Sequence, residues 1–599
     1  MRSMVWALVC VALVGAKGDR EEKSAAYDHY WREPLNVIEV DALTQVFPDR
    51  PPVPFPPDLG WWSPVAVPRG GTAVFQFVLT SNALASCSLR VDALKDSEGV
   101  ALDAAVALYE ARPVPVEANN NGGARTQVGT RPPEAWMASL VREAPFKVAE
   151  VLVETDTVEV TPGTAYSVVV DISVPVDAKP GKYTGRLVAK TAKHEAENSF
   201  TLEVFDVVAP DQPALHSTYW FWPNPENVSY GNAPEWWSEE HWHLIENSAR
   251  ALHAFGQDTI FTPILDGRHP LIQTIRQADG TYTFDFKLFD RWAETFLRLG
   301  FDTFEGHHVG GGHTIAVPPM ASHGGVWVED EATRKQEPLF DHPKDAEPWL
   351  AFLPVFYDAL YAHLVTKGWV DRYVQCQLDE PRDPEEYGRL AALAREHLPG
   401  VRTKDAINSR PREFSPLVDI QVFSVASLEA EHDLAEERRA NGQSVWFYHC
   451  CSPYPPYPNR HLDEPLSNSR LYPWLAYLLN ADGYLYWGAN VYRGADPYET
   501  SIGPLPNGSQ SPGHPPGDNW MFYPTKDGLI PGMRMLAYRE GLLDYTLLTM
   551  LAEKNKPAAD RIMRGIVRSL TDYAQRPRTF HEARRQMLRL LSGSCEPRD

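Results

Sequence analysis

The tetrapeptide Leu-Asp-Glu-Pro occurs twice in this chain, at 378–381 within "VQCQLDEPRD" and at 462–465 within "NRHLDEPLSN". Paired carboxylates are the usual equipment for cleaving glycosidic bonds, one donating a proton and the other acting as nucleophile or base. A double displacement through an enzyme nucleophile needs the two groups about 5–5.5 Å apart on opposite faces of the sugar. Neighbours at the end of one strand cannot easily straddle an anomeric carbon. Either a second carboxylate comes from elsewhere, or the substrate supplies the nucleophile. A 2-acetamido sugar does the latter through its carbonyl oxygen, with one carboxylate stabilising the charged amide and the other protonating the leaving oxygen. On this reading Glu380 is the general acid/base and Asp379 the group that polarises the acetamide.

The elements around each copy decide between them. After about residue 214, short β runs alternate with amphipathic helices, the pattern of a parallel sheet covered by helices. The runs are "HSTYWFW", "DTIFTPIL", "FDTFEG", "DRYVQCQL", "VRTKDAI", "VDIQVFS", "QSVWFYHC" and "GYLYWGA". Helices are expected at about 238–255, 285–299, 347–367, 384–397, 427–441, 467–479 and 531–551. In the second of these, Asp285 reads as the N-cap, with Leu288, Trp292, Phe296 and Leu299 on the buried stripe and Gly300 as the stop. The pattern fits a (β/α)8 TIM-type barrel, whose active sites lie at the C-terminal ends of the strands. The first copy closes strand four and so reaches that rim. The second follows the loop "SPYPPYPN" and precedes a helix, where acids favour the positive end of the dipole, so Asp463 and Glu464 read as structural. Strand seven, "VWFYHCC", carries no acid; the alternative second carboxylate is Glu305, at the end of strand three.

Aromatic and polar residues cluster at the same strand ends: Trp220 and Trp222 at strand one, Tyr448 and His449 at strand seven, and Trp487, Asn490 and Tyr492 after strand eight. With 18 Trp in the chain, packing accounts for many such rings, and it is convergence at one rim that selects these as substrate-binding. The stretch "GHHVGGGH" places His307, His308 and His313 after strand three, with His308 expected at the substrate. No acidic partner stands at a metal-ligand spacing. Neither a metal nor a cofactor is expected, and Cys450-Cys451 read as a buried strand end.

Length and composition set the frame. The 599 residues, 43% of them hydrophobic, call for more than one domain. The balance of 56 Lys+Arg against 79 Asp+Glu gives a net charge of -23, which disfavours nucleic acid and anionic lipid as partners. Residues 1–18 hold an early Arg, an apolar run and small residues near Ala16. They read as a secretory signal too short to span a membrane, so a secreted or extracytoplasmic protein without integral membrane association is expected. Residues 19–60 read as an extended proline-rich leader, 61–210 as a β-sandwich, 211–555 as the catalytic barrel and 556–599 as a C-terminal helical appendage. Cys10 lies in the signal; Cys87, Cys376, Cys450, Cys451 and Cys595 make no disulfide framework. Sequons stand at Asn227 and Asn507, and nothing sets the oligomeric state.

The motifs "PGKYTG", "QLDEP", "WFYHCCSPYPPYPN", "GYLYWGANVY" and "IPGMRMLAYREGLLDYTLL" together resemble glycoside hydrolase family 123 and the related uncharacterised family sharing its catalytic domain. The resemblance spans about 65–551. It implies a β-sandwich ahead of a (β/α)8 barrel and a retaining exo-acting β-N-acetylgalactosaminidase that uses an adjacent Asp-Glu pair, here Asp379 and Glu380, with the substrate acetamide. A glycan or glycoconjugate is then the expected partner and N-acetylgalactosamine the expected sugar. The alternatives are a glycosidase for a non-acetamido sugar and a non-catalytic carbohydrate-binding protein.

Overall fold

The strand Thr72–Thr80, "TAVFQFVLT", is buried along almost its whole length, and the reason organises the N-terminal half. Its Phe75 and Phe77 face a core shared with Phe200, Leu202 and Leu187 of a second sheet, the Phe75 and Phe200 rings lying 4.4 Å apart. Its Val74 and Val78 point the opposite way, into the core that surrounds the barrel, as the period of two requires. In this computed structural model the described residues are 28–50, 64–121, 125–315, 325–339, 346–509 and 512–593. The signal-like segment and Cys595 lie outside them, as does much of the expected leader.

Each N-terminal sheet has five strands. The first runs Asn36–Val40, Thr72–Thr80, Tyr166–Ser173, Ala105–Val116 and Phe146–Glu154, all antiparallel. The second runs Val65–Arg69, Glu195–Val208, Gly181–Lys190, Ala85–Lys95 and Thr157–Val160. Asn36–Val40 corrects the leader expectation. It pairs in register with Thr72–Thr80 and buries Val37, Ile38 and Val40, so part of the segment expected to wrap the surface is an edge strand.

All eight expected barrel strands form, in order: His216–Tyr219, Thr259–Thr262, Thr303–Gly306, Tyr373–Gln375, Arg402–Ile407, Ile420–Ser424, Ser444–Tyr448 and Gly483–Tyr486. Every neighbouring pair is parallel, and strand eight pairs with strand one through Tyr219 and Tyr486, closing the barrel. The helix Glu347–Lys367 packs Phe352, Leu353, Phe356, Tyr357 and Leu360 inward and stops at Gly368, whose φ of 71° suits a residue without Cβ.

Local differences from the sequence reading have local causes. Asp285 ends a strand, Tyr282–Asp285, and accepts the Lys287 N–H at 2.9 Å; the helix begins at Lys287, and Phe289, Trp292, Ala293 and Phe296 form its buried stripe while Leu288 and Leu299 stay half-buried. That strand belongs to a four-stranded sheet inserted in the loops after strands two and three. The helix expected at 427–441 is two, Val425–Ala430 and His432–Ala440, and strands five and six are joined through only one helical turn, Pro411–Phe414. The barrel's last helix meets the first appendage helix at a kink: Met533–Ile566 is broken at Asn555 (φ −156°, ψ 75°), whose side chain accepts the Ala558 N–H just past Pro557.

Candidate active site

Asp379 and Glu380 lie just beyond strand four, at the C-terminal end of the barrel. Side chains of consecutive strand residues point to opposite faces, yet both line one cavity, because Glu380 turns into the left-handed region at φ 48°. A bulky residue there is strained. The turn is held by the Glu380 N–H to the Ala406 carbonyl at 3.1 Å and by the Tyr448 hydroxyl, which donates to the Glu380 carboxylate. Beneath them Asp405, buried on strand five, accepts the N–H groups of Gln377 (2.9 Å) and Leu378 (3.2 Å) and the Tyr387 hydroxyl (2.6 Å). The loop after strand three lies along the same strand end: the Gly310 N–H donates to the Gln377 carbonyl at 2.9 Å, and a Cβ at Gly310 would strike Leu378.

The cavity, about 190 Å³, is lined by Trp220, Asp379, Glu380, Ala406, Tyr448, Cys450, Cys451, Leu485, Trp487, Arg493, Pro506, His514 and Asp518. A larger one, about 640 Å³, opens at the other end of the barrel among the first residues of the strands, such as His216, Thr259, Thr303 and Ser444. Chemistry on this architecture belongs to the C-terminal rim, so the smaller cavity is the candidate site. There burial, reinforced by the Glu380 carboxylate, pushes Asp379 up to about 7, against a weaker pull from His313. Its oxygens are thus poised to gain from a cation or a polar N–H brought by a ligand.

Of the residues selected from sequence, Trp220, Asp379, Glu380, Tyr448 and Trp487 line the cavity. The others stand behind it. Asn490, expected at the sugar, is buried and clamps the strand-one loop, accepting the Trp222 N–H and donating to the Trp222 carbonyl, both at 2.9 Å. That clamp places Trp222 outside the lining, against His307 and Phe261. Tyr492 is buried and donates to the Phe522 carbonyl at 2.8 Å. His449 is buried against the Tyr472 ring at 3.9 Å, and burial, followed by the nearby Arg460 and His461, holds its pKa well below the usual imidazole range. His308 lies under the floor, 3.8 Å from Asp405.

His308, Cys376 and Asp405 offer donor atoms within 4.8 Å of one another. As a metal site they fit poorly. The Asp405 oxygens already accept three donors, and burial pushes the Cys376 thiol well above its ordinary value, away from the thiolate a metal needs. Glu305, the alternative second carboxylate, is inside the barrel, paired with Lys404 at 2.9 Å and accepting from Trp220 Nε1 at 3.2 Å, with Glu305 and Lys404 side chains each 1% exposed. It does not line the cavity.

The second Leu-Asp-Glu-Pro is structural, but not through a helix dipole. Asp463 is buried and accepts the Asn120 N–H (2.8 Å) and the Asn119 amide (3.2 Å) from the loop that follows the strand Ala105–Val116, while its carbonyl takes the Val141 N–H (2.9 Å). Glu464 accepts the Asn459 N–H (2.8 Å) and the Asn468 amide (3.1 Å). The copy joins the sheets to the barrel. Sequence reasoning missed Asp405, Arg493, His514 and Asp518. Of these only Asp405 left a signal, an acid in the middle of the strand-forming run "TKDAI".

The family model for the glycoside hydrolase 123 catalytic domain matches residues 222–551. Among solved structures, a family 123 glycoside hydrolase from Clostridium perfringens, described for glycolipid glycan hydrolysis, superposes with a TM-score of 0.68 at 14% identity, covering 93% of this chain and 98% of that one. An endo-β-1,4-mannanase from Thermotoga petrophila aligns more loosely, with a TM-score of 0.34 at 12% identity over 56% of this chain and 77% of that one. Among curated protein sequences, none matches.

Proposed function

The chain belongs to glycoside hydrolase family 123, and we propose that it is a secreted retaining exo-glycosidase releasing terminal β-linked 2-acetamido sugars, N-acetylgalactosamine foremost, by substrate-assisted catalysis. We read its architecture as a β-sandwich ahead of a (β/α)8 barrel; the apolar run at residues 4–14 supports the extracytoplasmic placement. The observation that carries the mechanism is that Asp379 and Glu380, adjacent in the chain, both line one small cavity. Glu380, oriented by Tyr448, protonates the leaving oxygen and later activates water. The acetamide carbonyl attacks the anomeric carbon, and Asp379, ionised, stabilises the N–H of the resulting oxazolinium-like intermediate. Trp220 and Trp487 supply rings for the apolar face of the sugar.

One other carboxylate lines the cavity among the described residues, Asp518. It is fully buried, its carboxylate accepts the Tyr486 hydroxyl at 3.1 Å, and it lies within 4 Å of the His461 and His514 rings. The deciding experiment screens chromogenic glycosides with and without a 2-acetamido group, then offers a thiazoline analogue and a 2-fluoro sugar. Turnover confined to acetamido substrates, with tight competitive inhibition by the thiazoline, is expected. A covalent 2-fluoroglycosyl adduct on Asp518 or another carboxylate would overturn the mechanism.

A further inference from the structure

Strand seven ends at Tyr448, and the chain then bends sharply. The Cys450 N–H donates to the Ser452 carbonyl at 2.9 Å, and the Asn459 amide holds the carbonyls of Cys450 (2.9 Å) and Pro453 (3.2 Å). In an extended strand the side chains of residues 450 and 451 would diverge. The bend turns both into the cavity, with their sulfurs 3.6 Å apart, in van der Waals contact, beside Glu380. Both are half-buried, unlike the buried Cys87 and Cys376.

We propose that Cys450 and Cys451 are a redox modification site that closes into a disulfide between neighbours and forms part of the sugar-contacting wall. The proposal rests on reading this cavity as the sugar site. The oxidant is a disulfide donor of the glutathione type: the Cys450 thiolate displaces a donor sulfur to give a mixed disulfide, which consumes the neighbouring thiol that, ahead of burial, holds the Cys451 thiol up, and the Cys451 thiolate then displaces the remaining donor thiol. One S–S bond forms here, the donor's S–S bond is reduced to two thiols, and the protons of Cys450 and Cys451 pass to those leaving thiolates.

The consequences are local. A disulfide stabilises chiefly by closing a loop of the unfolded chain, and neighbouring residues enclose almost none, so closure leaves global stability nearly unchanged. It does remove two thiol donors from the cavity wall and present a rigid apolar face next to Trp487 and Leu485. The adjacent Cα atoms stand closer than in an ordinary disulfide, so the bond is strained and readily reduced.

The test needs no substrate for its first readout. The full chain, purified under a reducing thiol, is equilibrated against oxidised glutathione, alkylated and mapped by peptide mass. The expected result is a peptide holding both residues two mass units lighter and unalkylated, reversed by mild dithiol, with an unchanged unfolding midpoint. Two alkylated thiols, or stable glutathione adducts at this peptide, would overturn the site irrespective of the enzyme's activity. The second readout is KM for the chromogenic 2-acetamido substrate, expected to shift at least threefold on oxidation, with the shift abolished in Cys451→Ser. A disulfide that forms without moving KM would remove its role in the sugar wall and leave the reading of the active site intact.

Discussion

Replacing Asp379 by Asn probes the site through stability and catalysis at once. Burial, then the adjacent Glu380, raise this carboxyl from 3.8 to about 7 in the folded protein. The fold therefore binds the proton more tightly than the unfolded chain does. Its contribution to stability is complete below pH 3.8 and is lost as pH rises through about 7. The interval corresponds to roughly 4 kcal/mol as an upper figure, reduced toward about 2 kcal/mol by the residue's partial exposure to water. The amide of Asp379→Asn cannot ionise, so the variant should be more stable than the parent by about 2–4 kcal/mol at pH 8 and equal to it at pH 3, read from urea midpoints at a common slope. Activity should move oppositely. If ionised Asp379 stabilises the cationic intermediate, kcat/KM of the parent on an activated aryl N-acetylgalactosaminide falls about tenfold per pH unit below 7. In the variant that acid limb disappears. Its plateau sits about ten- to a hundredfold lower, through loss of a charge-assisted contact worth roughly 1.5–3 kcal/mol. An acid limb that persists near pH 7 in Asp379→Asn, or a variant no more stable at pH 8, would refute the reasoning.

Glu380→Gln should lower turnover of unactivated glycosides by about two to four orders of magnitude and of activated aryl glycosides much less, since only the former need a proton at the leaving oxygen; equal losses on both would remove it as the donor. Tyr448→Phe, which strips the hydroxyl from the Glu380 carboxylate, should cost about tenfold or more in kcat/KM at little change in unfolding midpoint; full activity would mean that the contact does not orient the acid. Asp463→Ala removes the acceptor of the Asn120 N–H and one of the two acceptors of the Asn119 amide, which keeps the Arg142 carbonyl at 3.0 Å, and should cost about 1–3 kcal/mol of stability, whereas Asp463→Asn keeps an acceptor oxygen and should cost less. Equal midpoints for the Ala variant and the parent in thermal unfolding would contradict the joint between sheets and barrel.

All eight barrel strands were legible in the sequence because each is a local event, an apolar run beside a helix that carries its own signals. Asp383, for example, accepts the Glu385 N–H at 2.9 Å and starts the helix after strand four, and Gly368 ends the one before it. With the strand order known, the rule that barrel chemistry lies at the C-terminal rim was enough to choose Asp379 and Glu380 over the second copy of their motif. Which neighbours that pair would meet was not local. Arg493, His514 and Asp518 reach the cavity from a long aperiodic loop after strand eight, whose fold-back no periodicity announces. Asp463 finds its donors in Asn119 and Asn120, more than 340 positions away, so its sequence surroundings could suggest only a helix start. Asn490 and Tyr492 carry the side chains of a sugar site but spend their hydrogen bonds on backbone groups of Trp222 and Phe522. The facing of Cys450 and Cys451 depends on a bend pinned by Asn459, where the strand period would have parted them. Sequence determines which face of an element is apolar and where the element ends, since both follow from neighbouring residues. Which polar group is consumed by the fold and which is left for a ligand follows from partners brought together only when the barrel closes and the N-terminal sheets dock against it.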